Sequence, residues 1–525
     1  MSEIVIVGAG IAGLTAAIKA SDMGAHVKLI SPDYSERSQS VMAMGGINAA
    51  LRSNDSTEEH FQDTMNGGCG INNVEAVTRL TSDAPDIIKW LSDMGTSFTR
   101  DEQGNVDVRY FGGQKKKRTA YAGARTGKQI VTTLINQCRK KEAEGSVTRF
   151  IGWRFLSLML DEGKCCGVIC INENTSEIRE FASDSVIIAS GGLNKLFGKT
   201  SGSVQNDGVA TARLFMQGVE LANLEMIQYH PTTVKTPVKR MLITEAARGE
   251  GGNLYTLRDG KPWYFMKEWY PEKAELMPRD VVSRSIFKAS NAGENQVYLD
   301  MSHLDENLIK TKLDEVYEIC TTYIDLDPTS EAIPVYPGVH FFMGGIKTDE
   351  NHKTNIEGLY AAGECSCQYH GANRLGGNSL LGAVHGGWIA AENAASKSIP
   401  SDSTSQLDEE IESFNNWEKS DRDCSETEEK LAEIMNGSMG IYRNEEDLRT
   451  ALAKLDELDI NIGGSYYDYI KLESLILLAK ACILSALKRK ESRGAHQRIE
   501  YPQSSDEYKK TTCVTYDGKI NVNFK

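Results

Sequence analysis

The residues that most restrict this chain stand near its start, in EIVIVGAGIAGLTAAIKASDMGAHVKLIS, residues 3 to 31. An apolar, β-branched run over 3–8 reads as a buried strand. Gly8, Gly10 and Gly13 follow at the spacing G-x-G-x-x-G, then an alanine-rich helix, then a second strand over about His26 to Ile30. In this strand–turn–helix setting the glycines allow a tight turn, close approach of a pyrophosphate and close helix–strand packing. The helix N-terminus offers amide donors to phosphate. The stretch therefore predicts a nucleotide-binding α/β domain. Where a ribose-binding acid would end the second strand, the chain has Ser31, with Asp33 two residues on. A serine bonds a hydroxyl only weakly, which counts against NAD(P).

Two later runs, SVIIASGG (185–192) and GLYAAGE (358–364), also read as strands ending in small residues. Strands so far apart suggest one Rossmann-like domain whose sequence is interrupted. The interruption, roughly 229–340, is aromatic and holds Pro231, Pro237, Pro262, Pro271, Pro278, Pro334 and Pro337. The expected organisation is α/β. Residues 1–228 and 341–400 form the Rossmann-like domain, and 229–340 an inserted α+β domain. The polar stretch SIPSDSTSQ reads as a linker, 405–490 as a helical domain with apolar spacings of three and four, and 491–525 as a mixed, polar tail.

The 525 residues are 40% hydrophobic and carry a net charge of −15. That charge argues against nucleic acid and anionic membrane as general partners. Lys115-Lys116-Lys117-Arg118 is expected to be a solvated loop. No apolar run is long enough to span a bilayer, and LESLILLAKACILSAL (472–487) carries Lys480 and fits a buried helix better. MSEIVIVG enters a strand without the charged region and cleavage site of a signal peptide, so a cytoplasmic location is expected, with membrane association only through a partner. The eleven cysteines are expected to be reduced. Cys165-Cys166 with Cys170, and Cys365 with Cys367, lack the pairing of a zinc or iron–sulfur site, so no metal is expected in this chain.

Five polar clusters could carry chemistry: His230 in IQYHPTT; Thr244, Glu245 and Arg248 in MLITEAARGEGG; Arg279 and Asp280 in ELMPRDVVSR; His340 in YPGVHFFMGGI; and Arg374, Asn378 and Ser379 in YHGANRLGGNSLLGAVHGG. Singly, each has a structural reading: a satisfied histidine, an i,i+3 pair of Glu245 with Arg248, a local pair of Arg279 with Asp280. Jointly, two arginines and two histidines flank an insertion beside a nucleotide fold. Fixed cations and donors of this kind are what a dicarboxylate needs, arginine gripping carboxylate in a bidentate way.

With GAGIAG (8–13), GGINAAL (45–51), QYHPT (228–232), TEAARGEGG (244–252), PRDVVSR (278–284), H-x-x-MGGI (340–346), GECSC (363–367), HGANRLGGNSLL (370–381) and ESRGAHQR (491–498), the chain resembles the flavoprotein subunits of succinate dehydrogenase and fumarate reductase. L-Aspartate oxidase is a close relative. The resemblance implies FAD on the Rossmann-like domain, held through Gly8, Gly10, Ala12, Gly13 and Ser31, through Gln39, Ser40, Gly45 and Gly46, and through Asp207, Glu364, Ser379 and Leu380. It implies that the insertion caps a dicarboxylate. His340 and Arg374 would hold one carboxylate, while His230, Thr244 and Glu245 place the other end. Arg279 would be the proton donor, Glu245 and Arg248 its relay, and flavin N5 the hydride source. Free arginine has a pKa above 12, so such an acid needs immediate reprotonation. Electrons would pass to or from an iron–sulfur partner subunit.

Two departures bear on these expectations. Membrane-bound members of the family carry a histidine, covalently bonded to the flavin, where this chain has Gln39. An amide cannot make that bond, so non-covalent FAD is expected, with a lean toward fumarate reduction. In YAGARTGKQI (121–130), Ala124 and Lys128 replace the aspartate and histidine frequent in the family. The alternative, L-aspartate oxidase, fits less well: Asn48 and Gly376-Gly377 follow the dehydrogenase pattern. A flavin subunit without dicarboxylate turnover would require Arg279, His340 and Arg374 to be structural.

Overall fold

The computed structural model describes residues 2–123, 125–237, 239–396, 406–418, 424–460 and 464–525. At its centre the strand Glu3–Val7 pairs in parallel with Ser185–Ile188 on one side and His26–Ser31 on the other. Leu359–Ala361 and Val147–Ile151 complete a five-stranded parallel sheet. Helices cover one face, packing on Ile4, Ile6, Val27 and Leu29, while the antiparallel strands Trp153–Asp161, Lys164–Asn172 and Ile178–Ala182 cover the other at Val5, Val7, Ile30, Val186 and Ile188, and burial on both faces explains the near-continuous apolar runs. The helix Ile11–Asp22 is buried on nearly every side, from Ile11 through Ile18 and at Ala20 and Ser21. It lies between the sheet and the helix Asn378–Ala395, so its small residues are needed all round rather than along one stripe. A Cβ on Gly13 would sit 1.8 Å from the Gly8 carbonyl oxygen, and one on Gly387 would sit 2.2 Å from that of Ala12. Either substitution would push the helix off its neighbour.

A second, antiparallel sheet is built from Arg240–Leu242, Ile227–Lys235, Ile333–Phe342, Val297–Asp300, Asn253–Arg258 and Lys261–Trp263, in that order. It has its own apolar cluster, including Val234, Ile243, Phe265, Ile286, Leu299 and Val335. Its two long strands begin and end beside the parallel-sheet region, two residues outside the expected 229–340 at either end. They pair Tyr229 with Val339 and His230 with Gly338, and the register shifts between His230 and Thr233. Pro231 falls inside that shift and has no N–H to give the ladder. The bulge turns a strand side chain out of the regular alternation next to His230.

The helices Gln406–Asn416, Cys424–Ser438, Glu445–Asp456 and Tyr466–Lys488 form the C-terminal helical part. Lys480 leaves the buried helix to meet Asp456 at 2.5 Å. Among the described residues no helix is long and apolar enough to cross a membrane. The expected linker, residues 398–405 before Gln406, and Ala124 lie outside the described residues; Lys128 is exposed.

Two expectations need correction. The tail is not merely mixed and polar: Thr512–Tyr516 and Ile520–Phe524 form a hairpin that joins Leu221–Ala222, Gly345–Lys347 and Ser366–Cys367 in one sheet. Its apolar residues, Val514 with Val522 and Ile520, pack on the main core, but they are too few among polar neighbours to show as a strand signal. The Lys115–Arg118 run is not solvated throughout. Arg118 is fully buried, 3.0 Å from Asp55 and 3.1 Å from Asp63.

Candidate active site

One long cavity runs from the glycine turn at Gly8 to the bulged strand at His230. At its outer half the wall is Gly8, Gly10, Ala12, Ser31, Gln39, Ser40 and Asp207. The N-cap positions of two helices open on it, Gly10 for Ile11–Asp22 and Gly377 for Asn378–Ala395, and neither glycine has a side chain to cap its own helix. Their first-turn amides and partial positive charge suit phosphate and carbonyl oxygens. Buried polar atoms without a protein partner also stand along this wall: Ser38 Oγ, Gln39 Oε1 and Ser190 Oγ. A dinucleotide with a polar ring edge fits these donors and acceptors.

The expected cofactor residues do not all act alike. Gly13 is absent from the wall and packs behind it against Gly8. Ser31 donates its hydroxyl to the Asp33 carbonyl at 2.8 Å. Ser40 accepts from the Ile11 N–H at 3.2 Å. Asp207 is already held by Arg154 at 2.9 Å and the Tyr467 hydroxyl at 2.8 Å. Gly45 and Gly46 face the cavity, yet what forces them to be glycine is protein. A Cβ on Gly45 would strike the Phe111 ring at 2.6 Å, and one on Gly46, at φ +130°, the Ala120 oxygen at 2.4 Å. Ser379 and Leu380 line the wall at the first turn of their helix. Glu364 accepts from the Phe342 N–H at 3.1 Å, and burial pushes its carboxyl up to about 7.

The inner end gathers His230, Thr244, Glu245, Arg279, His340 and Arg374 on the wall, from strand, helix and loop positions spread between residues 230 and 374. Arg279, first residue of the helix Arg279–Ala289, donates Nε–H to Glu245 at 2.7 Å. Glu245 also accepts from the Gly112 N–H at 2.7 Å. Arg248 is not on the wall. It stands behind Glu245 at 3.7 Å and donates to the Glu275 carbonyl at 2.6 Å. Asp280 pairs with Arg284, not Arg279. Thr244 caps the helix Glu245–Gly249, accepting from Ala246 N–H, which leaves its hydroxyl proton to donate. The rings of His230 and His340 meet edge to face at 5.2 Å, and His340 Nδ1 lies 3.0 Å from Ser201 Oγ.

Charge is distributed unequally. Burial lowers His230 and His340 far below the ordinary imidazole range, reinforced by Arg279, so both are neutral. Burial opposes ionisation of Glu245, but Arg279 and Arg248 outweigh it and hold the carboxyl below its usual value. Burial and the adjacent Arg279 push Arg374 well down, with Glu364 and Glu245 opposing. Around this end stand Arg248, Arg279 and Arg374, with Glu245 ionised, Glu275 farther off and Glu364 pushed up to about 7 by burial, and His230 Nε2 and Arg374 Nε have no protein partner. The wall is short of negative charge and of acceptors, which is what a dianion supplies.

One residue escaped the sequence reading. Gln228 is fully buried, and its Oε1 accepts from Arg374 Nη2 at 2.9 Å and Arg279 Nη1 at 3.3 Å. Its amide donates to Asn373 and to the Arg374 carbonyl, both at 2.8 Å. It lies inside QYHPT, two residues before His230, where strand alternation puts both on one side. Nothing in an uncharged glutamine announces that role.

Residues 3–380 match the FAD binding domain family, and residues 428–525 the family described as fumarate reductase flavoprotein C-term. The chain is 40% identical to the succinate dehydrogenase flavoprotein subunit of Bacillus subtilis, over 98% of this chain and 94% of that one. The chain belongs to the succinate dehydrogenase and fumarate reductase flavoprotein family. This family member is an FAD-dependent oxidoreductase acting on a CH–CH bond. It is also 34% identical to the fumarate reductase flavoprotein subunit of Mycobacterium tuberculosis, covering 99% of this chain and 96% of that one. Among solved structures, Escherichia coli quinol fumarate reductase superposes with a TM-score of 0.92 at 31% identity, covering 100% and 96% of the two chains.

Proposed function

We propose that this flavoprotein works in the direction of fumarate reduction, with Arg279 as proton donor, non-covalent FAD, and electrons received from an iron–sulfur partner subunit. The observation that carries the reading is the place of Arg279: a buried guanidinium on the cavity wall, tied by Nε to Glu245 and by Nη1 to Gln228. Bound FAD supplies the hydride for one alkene carbon. Arg279 gives a proton from its guanidinium to the other carbon, and a proton from Arg248, passed through the ionised Glu245 carboxylate, restores it. Arg374 and neutral His340 donate to one carboxylate; Thr244 and His230, whose Nε2 has no protein partner, donate to the other. We assign residues 229–340 to a cap whose closure excludes water.

Turnover of viologen-reduced holoprotein with fumarate tests the reading. Arg279→Lys should keep its FAD and lose roughly 10²–10⁴-fold in rate. Lost flavin with lost folding would make Arg279 structural, and bleaching of the oxidised protein by L-aspartate would reassign the site to the oxidase. Gln39 bears on attachment, since an amide offers no imidazole nitrogen. Acid precipitation should release the yellow colour into the supernatant; a washed pellet that stays yellow would refute non-covalent binding.

A further inference from the structure

A second buried polar cluster adjoins the cofactor cavity away from the dicarboxylate end. Tyr369 lies on the cavity wall, and its hydroxyl sits between two histidines, 2.5 Å from His352 Nε2 and 2.7 Å from His385 Nδ1. His352 Nδ1 is 2.6 Å from the Ala361 carbonyl oxygen, and His385 Nε2 is 3.0 Å from the Asp83 carboxylate. His352, Tyr369 and His385 are buried, whereas Asp83 is 43% exposed. The groups make one hydrogen-bonded chain from the surface to the cavity wall, and the dicarboxylate chemistry has no use for it.

Counting protons shows what is unusual. The chain has four contacts: Ala361 with His352, His352 with Tyr369, Tyr369 with His385, and His385 with Asp83. Each needs one proton. The Ala361 carbonyl and an ionised Asp83 can only accept, and a neutral histidine, a tyrosine and a second neutral histidine carry one each. Three protons serve four contacts. Gln368 points an amide N–H at His352 Nε2 from 2.7 Å, which competes for that lone pair rather than filling the missing bond. Burial keeps the interior members uncharged, driving His352 down to about 3 and Tyr369 well up. At His385 burial also lowers proton affinity, with Asp83 and Glu392 opposing and Arg79 reinforcing. Arg79 lies 3.8 Å from Asp83 and 3.4 Å from Glu392.

We propose that the Asp83–His385–Tyr369–His352 chain takes up one proton from solvent when the cofactor cavity gains negative charge, and so compensates electrons entering bound FAD. The proton arrives at the Asp83–His385 pair, where only an N–H bond forms. His385 then donates to both Asp83 and Tyr369, Tyr369 donates to His352, and His352 to Ala361, so that all four contacts are filled. The electrons come from the donor that reduces the flavin, and nothing in the chain itself is oxidised or reduced.

The test is proton uptake during anaerobic reduction of the holoprotein by reduced viologen, which carries no protons, in weak buffer with a pH indicator. Asp83→Asn places an amide N–H opposite His385 Nε2 and fills the fourth contact permanently. The variant should keep its FAD content and melting temperature, yet take up about one proton fewer per two electrons near neutral pH. Tyr369→Phe cuts the chain in its middle and should show the same deficit. If Tyr369→Phe does not fold, Asp83→Asn decides. Equal uptake by wild type and a folded variant overturns the proposal. No dicarboxylate is needed, so the result stands apart from the fumarate reading.

Discussion

Two buried arginines in this molecule, Arg489 and Arg374, differ in how completely they are paired. Around ESRGAHQR, Arg489 donates five hydrogen bonds, to Glu225, Glu491, Thr512 and the carbonyls of Tyr508 and Lys510, all within 2.8 Å. At the cavity, Arg374 has one good bond, to Gln228; its Nε has none and its Nη1 contact is 3.5 Å long. A guanidinium whose donors are all used is part of the scaffold. One left with unpaired donors in a cavity waits for a ligand, because an unsatisfied buried donor is costly unless something else repays it. Arg489 also joins the helix Tyr466–Lys488 to the tail hairpin, which places its role in assembly.

The largest expected effect follows from the paired arginine. Arg489→Met should cost roughly 3–5 kcal/mol, because Glu225 and Glu491 remain buried with less compensation. Soluble yield and thermal unfolding would show it, and an unchanged melting temperature would erase the contrast. Arg374→Met should do the reverse. The apoprotein should unfold within about 1 kcal/mol of wild type or more stably, since burial already disfavours that cation, while the KM for fumarate rises roughly 100-fold through loss of a charge-assisted contact. A large loss of apoprotein stability would make the two arginines equivalent after all.

Glu364 gives an intermediate effect with a defined sign. Its folded value, about 7, lies above the ordinary 4.5, so its contribution to apoprotein stability is full below about pH 4.5 and is lost as pH rises through 7. The loss is about 3 kcal/mol. Glu364→Gln should abolish that part of the pH dependence, measured by unfolding from pH 4.5 to 8; parallel curves for the two proteins would exclude it. The smallest effect belongs to Thr244→Ala, which removes a helix cap worth about 1 kcal/mol and the hydroxyl proposed to donate to substrate. Its KM should move more than its melting temperature.

Much of the fold is readable in short stretches because the constraint is local. A strand, a glycine turn and a helix over residues 3–22 require only neighbouring residues, and the parallel pairing of residue 4 with 185 follows once each strand is buried on both faces. The tail hairpin was not readable, since its strands gain their apolar partners from Leu221–Ala222 and the core, far away in sequence. Arg118 looked like part of a solvated basic run because the acids that bury it, Asp55 and Asp63, stand more than fifty residues earlier.

The candidate site divides in the same way. The sequence alone determined which groups are available: the glycine turn, two histidines, the arginines and Glu245, and an amide rather than an imidazole at Gln39. Only the tertiary structure decided what each group does. Gly13 packs instead of lining, Arg248 stands behind Glu245, the histidines are uncharged, and Gln228 ties two arginines together. The physical reason is that burial and the pairing of each donor set charge and proton position. Both depend on atoms brought together from residues 112 to 374, a separation no local pattern encodes.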